Sequence, residues 1–276
     1  MVEVRSIVDF DDPALGPYRT MRNQFGHLGG GVFVAEGEKI VRRLLDSDLD
    51  VLSVVVPSKW REVFEPLLEA RSGKAQLFVG EKDVLTRLTG FSMFQGVLGL
   101  ARVPRPVGLD GLWSGERSPL LAALDGLTNA ENVGTLIRNL AAFGGQGLIV
   151  GETSSHPYLR RSVRSSMGSV FRTVYYESRD LVSTLKSLRD LGVRCLAADT
   201  GFGAPAIWDA DLKGPLCVVF GAEGDGVRPG VREACDAVVE IPMCPGVDSI
   251  NVANAAAAVF SECLRQRGLV THPPEG

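Results

Sequence analysis

Three stretches of this sequence place residues capable of chemistry just beyond short apolar runs. The first, "LDGLTNAENVGTLIRNLAAFG", carries Asn132, Gly134 and Arg138. With residues 133, 136, 137, 140 and 141 forming an apolar stripe, the spacing predicts a helix opening near Val133. Asn132 then serves as its N-cap, Gly134 leaves room for a close approach, and Arg138 stands on the flank. From these residues alone two readings stand: a capped helix with a solvated arginine, or a helix that offers a cation to a ligand. The second stretch, "LCVVFGAEGDGVRP", runs into Gly221, Gly224 and Gly226 with Glu223 among them. Glycines after a parallel strand let backbone approach a nucleotide-like ligand, yet the order G-x-x-G-x-G is not the dinucleotide fingerprint. The third, "IPMCPGVDSINVANAAAAVFSE", ends a strand at Pro242 and leads through Ser249, Ile250 and Asn251 into a helix rich in alanine, suited to close packing within the chain or against a second copy.

The elements around these stretches predict a doubly wound α/β arrangement. "PLLAALD", "GLIVG", "VRCLAAD", "PLCVVFG" and "AVVEIP" are nearly continuous apolar runs, as expected of strands buried on both faces of a parallel sheet. Helices over 133–143, 180–191 and 249–266 separate them. Ligands of such sheets lie beyond the carboxyl ends of the strands, where the three stretches fall. A smaller α/β region precedes them: "GVFVAEGEKIVRRLLDS" reads as a strand turning into a helix with Ile40, Val41, Leu44 and Leu45 on one face. "VLSVVVP", "AQLFVG" and "GVLGLARV" read as further strands, with helical spacing in "WREVFEPLLEA". Proline, glycine and charge gather in "VPRPVGLDGLWSGERSP", so the expected division is 1–105, a linker over 106–117, and 118–276.

Composition sets the outer limits. The chain has 276 residues, 45% of them hydrophobic and 22% charged, as in an ordinary globular protein. "MVEVRSIVDFDD" lacks the basic and apolar regions of a signal peptide, and no apolar stretch approaches the roughly 18 residues that span a bilayer, so a cytoplasmic protein without membrane attachment is expected. Five cysteines form no C-x-x-C pair, which supports neither a disulfide framework nor a metal site and places them in or near the core. A net charge of −4 argues against wrapping nucleic acid non-specifically. No acidic residue lies between Glu152 and Glu177, however, while Arg160, Arg161, Arg164 and Arg172 do.

Taken in order, the three stretches resemble the SpoU/TrmH family of RNA ribose 2′-O-methyltransferases, within the SPOUT class. The N-x-G-x-x-x-R motif is matched by Asn132, Gly134 and Arg138, and F-G-x-E-x-x-G by Phe220, Gly221, Glu223 and Gly226. I-P-M with S-[LI]-N-V is matched by Ile241, Pro242, Met243, Ser249, Ile250, Asn251 and Val252, and "RSSMGSVFR" is similar to a further family segment. Residues 1–105 resemble the family's ribosomal-protein-like substrate-binding domain, through "GVFVAEGEKIVRRLL" and "FSMFQGVLGL". Ala253 and Ala222 depart from the pattern, at places where serine and asparagine are frequent.

The resemblance implies a SPOUT-type parallel sheet with a deep trefoil knot at the carboxyl end, which periodicity alone would argue against. It implies transfer of a methyl group from S-adenosylmethionine to a ribose 2′-hydroxyl of ribosomal or transfer RNA, by a homodimer. Gly221, Ile241, Met243, Ser249, Ile250 and Asn251 would hold the donor. Arg138 would stabilise charge developing on the oxygen, Asn132 would orient the nucleotide, and Glu223 would fix Arg138 or its neighbours. Arg160, Arg164 and Arg172 would meet RNA phosphates, and no metal is required. Two alternatives remain at this level: a non-catalytic RNA-binding member, and a nucleotide-dependent oxidoreductase.

Overall fold

The computed structural model describes residues 3–21, 23–71, 75–90, 96–113 and 115–268. Residues 91–95, which carry half of "FSMFQGVLGL", lie outside them. The chain forms two compact units, one of 1–105 with 158–172 and the other of 106–157 with 173–276.

In the first unit β1 (Glu3–Ser6), α1 (Gly16–Arg19), α2 (Gln24–Gly29), β2 (Val32–Glu36), α3 (Glu38–Leu45), β3 (Val51–Pro57), α4 (Arg61–Glu69), β4 (Gln76–Gly80), α5 (Lys82–Thr89) and β5 (Leu98–Arg102) follow one another. They build a sheet of order β1-β4-β3-β5-β2, parallel across β1, β4 and β3, with β5 antiparallel to both neighbours. Ile40, Val41, Leu44 and Leu45 of α3 are buried, as their spacing requires.

Further along, β6 (Leu120–Asp125), α6 (Ala130–Ala142) and β7 (Gly147–Val150) open the second unit, and α7 (Arg160–Ser165) returns to the first. There the Tyr158 and Phe171 rings lie 4.8 and 5.8 Å from Phe33, and Arg160 pairs with Glu36 of β2. Arg160, expected to meet RNA, thus has its guanidinium partly buried against a carboxylate of its own unit. Arg164 and Arg172 remain exposed.

The second unit continues with β8 (Val174–Glu177), α8 (Leu181–Asp190), β9 (Arg194–Ala198), β10 (Leu216–Gly221), α9 (Pro229–Ala234), β11 (Ala237–Val239) and α10 (Val252–Gln266). Its sheet has the order β11-β9-β10-β6-β7-β8 and is parallel throughout. Strands β6, β7 and β10 are buried along their whole length, which is why they read as unbroken apolar runs. The strand β10 enters the sheet late, between β6 and β9. The sheet's crevice therefore opens where β6, β10 and β9 end.

Two expectations change here. Within the expected linker 106–117, residues 107–112 are packed on the second unit: Val107 N–H donates to Tyr175 O at 2.9 Å, and Leu112 is fully buried among Leu121, Ile149 and Leu185. Gly147 permits this, since a Cβ there would lie 2.8 Å from Leu112 O. Cys195, Cys217 and Cys263 are buried and Cys235 is half-buried, but Cys244 is exposed. No helix among the described residues is long and apolar enough to cross a membrane, and no group of three His, Cys, Asp or Glu residues among them is placed to hold a metal.

Candidate active site

The helix α6 begins three residues earlier than its apolar stripe indicates. Asn129, not Asn132, is the N-cap, its Oδ1 accepting from Glu131 N–H at 2.9 Å and Asn132 N–H at 3.4 Å. Asn132 is thereby placed inside the first turn, where its backbone is satisfied and its nearly buried amide is free for tertiary work. That amide donates to Glu223 Oε1 at 2.7 Å and accepts from Asn251 Nδ2 at 3.0 Å, while Asn251 also donates to Glu223 Oε1 at 2.8 Å. Asn251 is itself the N-cap of α10, its Oδ1 accepting from Ala253 N–H at 2.9 Å. Residues of the three stretches, 91 and 119 positions apart in the chain, thus close one hydrogen-bonded triangle.

Asn139 strengthens the same helix pair by donating to Ala253 O at 2.7 Å. Arg138 is exposed and forms no hydrogen bond or ion pair with a described residue. Glu223 therefore anchors Asn132 and Asn251 and not Arg138.

The loop after β10 folds back on itself, with Ala222 and Gly226 exchanging two backbone hydrogen bonds of 3.0 Å. Gly221 has no space for a side chain: a Cβ there would lie 2.0 Å from the carbonyl carbon of Gly226. Gly226 has φ +68, and its missing Cβ leaves Asp199 room to accept from Val227 N–H at 3.3 Å and Arg232 Nη1 at 3.2 Å. This turn closes on itself before the chain reaches Arg228, the N-cap of α9, so its glycines lie outside that helix's first turn, unlike those of a dinucleotide-binding turn.

A cavity of about 510 Å³ lies between this loop, the end of β9 and the segment before α10. Gly221, Ile241, Met243, Ser249, Ile250 and Asn251 all line it, so the structure brings together every residue expected to hold the donor. Phe220, Val239, Val252 and Ala255 add an apolar floor. Its volume falls in the usual range of small-molecule sites, about 300–1,000 Å³.

Sequence reasoning missed a charged frame on the other side of the loop Ala222–Gly226, where Asp125 and Arg228 border a second cavity. Asp125, the last residue of β6, is buried and accepts from Arg228 N–H at 2.8 Å and Arg228 Nε at 2.6 Å. Arg228 Nη2 reaches Glu152 Oε1 at 2.7 Å, and Glu152 Oε2 accepts from Leu181 N–H at 3.1 Å. Partial burial opposes the charge on Arg228, but its hydrogen bonds with Glu152 and Asp125 outweigh that and raise its pKa. For Glu152 burial likewise acts against ionisation, and the bonds from backbone and Arg228 prevail, lowering its pKa. Phe202 stacks under Arg232, 4.0 Å from guanidinium carbon to ring centre, and lines the donor-side cavity. The signal available for Asp125 was its place at a strand's carboxyl end; nothing local marks Phe202.

The profile of the SpoU rRNA Methylase family matches residues 119–261. The chain belongs to the SpoU rRNA methylase family. An uncharacterized tRNA/rRNA methyltransferase of Mycobacterium tuberculosis is 32% identical over 272 residues, covering 96% of this chain and 93% of the relative. Among solved structures, an AdoMet-bound rRNA methyltransferase from Sinorhizobium meliloti shares the fold, with a TM-score of 0.83 at 24% identity over 97% of this chain and 99% of that one. The SpoU methyltransferase AviRb from Streptomyces viridochromogenes, in complex with AdoMet, is 25% identical with a TM-score of 0.77, over 91% of this chain and 98% of that one. Membership removes the oxidoreductase alternative.

Proposed function

We propose that this SpoU-family protein transfers a methyl group from S-adenosylmethionine to a ribose 2′-hydroxyl of ribosomal or transfer RNA. The observation that carries the reading is the triangle of Asn132, Glu223 and Asn251 at the rim of the 510 Å³ cavity. The same triangle speaks against a non-catalytic member, since each corner is present and held in place. Gly221, Ile241, Met243, Ser249, Ile250 and Asn251 would hold the donor, whose apolar and polar parts suit the cavity's apolar floor and loop edges. When bound, the donor supplies a sulfonium-activated methyl group. A ribose hydroxyl is a poor nucleophile at neutral pH, so the protein's part is alignment and stabilisation of the oxygen's developing charge. Asn132 orients the acceptor and Arg138 supplies the cation; a guanidinium with a pKa above about 12 stays charged.

Arg138 follows Asn132 by six residues, about 600° of helix, and so projects from a different face. The reading therefore includes a homodimer in which Arg138 reaches the triangle of a second copy. The family's trefoil knot is part of the proposal as well. Supporting it, β10 enters between β6 and β9, and Arg267 after α10 donates to Ser118 O at 2.6 Å, Leu212 O at 3.2 Å and Gly214 O at 2.7 Å. The unit of 1–105 and 158–172 is assigned to substrate binding, with Arg164 and Arg172 offered to phosphates. Its first 105 residues carry as many Lys and Arg as Asp and Glu, so shape must select the RNA more than net charge does.

Mass-spectrometric mapping of ribose methylation in RNA from cells with and without the gene tests the proposal. One 2′-O-methyl mark should vanish with the gene and return with the wild-type protein but not with Arg138→Ala. A mark that persists, or a base methylation in its place, overturns it.

A further inference from the structure

Phe202 lines the donor-side cavity and belongs to none of the three motif stretches. It lies in the loop between β9 and β10, 51% exposed, with Gly201 at φ +84 before it and Gly203 at φ +58 after it. Nothing stands within 4 Å of the place a Cβ would take on either glycine, so backbone conformation and not space calls for glycine there. The bend at Phe202 is thus built into the chain. On either side the loop is fastened: Asp199 N–H donates to Val239 O and Glu240 N–H to Pro205 O, each at 3.1 Å. Between these ties the phenyl ring rests on Arg232, whose guanidinium carbon is 4.0 Å from the ring centre. Arg232 is itself fixed, since its Nη1 donates to Asp199 Oδ2 at 3.2 Å and to Val227 O at 3.0 Å.

We infer that Phe202 is a further donor-binding residue, whose free face stacks on the adenine of S-adenosylmethionine, and that Arg232 is a positioning residue acting through it. The inference rests on the donor half of the methyltransfer reading and is independent of the RNA acceptor. A single exposed aromatic is common on protein surfaces and alone implies no ligand. Here the ring borders a cavity of ligand size, and with one face covered by Arg232 and half its surface exposed, it presents the other.

Charge decides which part of the donor suits that face. S-adenosylmethionine offers one flat group, the adenine, and two cations, the sulfonium and the α-ammonium. A bare phenyl face attracts cations. This one already carries a guanidinium against its back, so a cation on the front would meet that charge through the ring. A neutral heterocycle meets no such repulsion and gains an offset stack. The layer of Arg232 beneath Phe202 has a second effect. A half-exposed phenyl without support would sample several rotamers, and the stack settles it before the donor arrives.

The test is calorimetric titration of the full chain with S-adenosylmethionine and, separately, with S-adenosylhomocysteine, which keeps the adenine and lacks the sulfonium. Phe202→Ala should raise both Kd values about tenfold, in keeping with the loss of one base–aromatic stack, while the melting temperature without ligand barely moves. Phe202→Tyr should stay within about twofold of wild type. Phe202→Leu keeps apolar area without a flat face and should lose most of what alanine loses; it decides the matter if the alanine variant does not fold. Arg232→Lys keeps a charge for Asp199 but not the planar stack, and should raise both Kd values about threefold in the wild-type chain and not at all in Phe202→Ala. Unchanged affinity in Phe202→Ala and Phe202→Leu, or a loss confined to S-adenosylmethionine, overturns the stacking assignment. An equal effect of Arg232→Lys in both backgrounds overturns the positioning role. A wild type that binds neither nucleoside would instead sink the donor reading itself.

Discussion

Arg138 is the one residue of the proposed chemistry that the triangle does not hold. Its exposure has a cost for positioning, because a long side chain without partners among the described residues samples many rotamers, and a benefit for reach, because no contact with those residues must be broken before it meets an RNA phosphate or a developing oxyanion. Arg138→Ala should lower turnover by about 10²–10³, the usual loss for one preorganised charge or donor, and leave donor Kd within about threefold. Lysine should rescue poorly, as a point charge cannot repeat a planar fork. Single-turnover assays with calorimetry separate the two effects, and near-normal turnover in the alanine variant refutes the role. Glu223 is bound differently. Glu223→Gln keeps an oxygen for Asn132 and Asn251 but removes the charge, so kcat should fall about 10²-fold while the melting temperature barely moves. A matched loss of stability would mean that Glu223 is an architectural corner only.

At the scale of elements, the frame of Asp125, Arg228 and Glu152 ties the end of β6 to the segment leading into α9 and to the start of α8. Glu152 has its pKa lowered in the folded protein, so its contribution is present above its ordinary value of 4.5 and is lost as pH falls through the lowered folded value. The side chains of Arg228 and Glu152 are 43% and 29% exposed, which limits the effect to about 1 kcal/mol or less. Glu152→Gln should therefore melt slightly below wild type at pH 7, with the gap closing below pH 4.5; a gap that persists to acid pH would show that the carboxylate's charge is not what matters. This frame was illegible in the sequence, since pairs such as Asp125 and Arg228 leave no periodic trace. The strands β6, β7 and β10 were legible because burial on both faces makes them nearly continuous apolar runs, and β9 because its central residues are buried in the same way. By contrast, β1 and β8 are edge strands with mostly exposed or half-buried residues and were not recognised. The donor-side residues were legible as motifs and not as geometry: spacing took Asn132 for a cap, whereas Asn129 does the capping and releases Asn132 for the triangle.

On the scale of the whole molecule, a shared active site can be read from a mixture of two inactive forms. When Arg138→Ala and Glu223→Ala chains are unfolded together and refolded in equal amounts, half the dimers are mixed and each keeps one intact site, so about a quarter of wild-type activity should return. No recovery would place Arg138 in the site of its own chain. The course of the chain between its two compact units carries a consequence of another kind. It passes from one to the other at 105/106, 157/158 and 172/173, and the segment 158–172 seats Tyr158, Phe171 and Arg160 against Phe33 and Glu36 of the first unit. A peptide bond cut at 105 would thus leave a fragment 1–105 that lacks part of its own core and a fragment 106–276 that carries the missing piece. Coexpressed as separate chains, the two should reassemble into a stable complex that copurifies through one affinity tag, and the smaller should be aggregation-prone alone. Deleting 158–172 from the larger should abolish copurification. If fragment 1–105 instead proves soluble and cooperative in its melting by itself, the borrowed segment is an ornament to that unit and not a portion of its core.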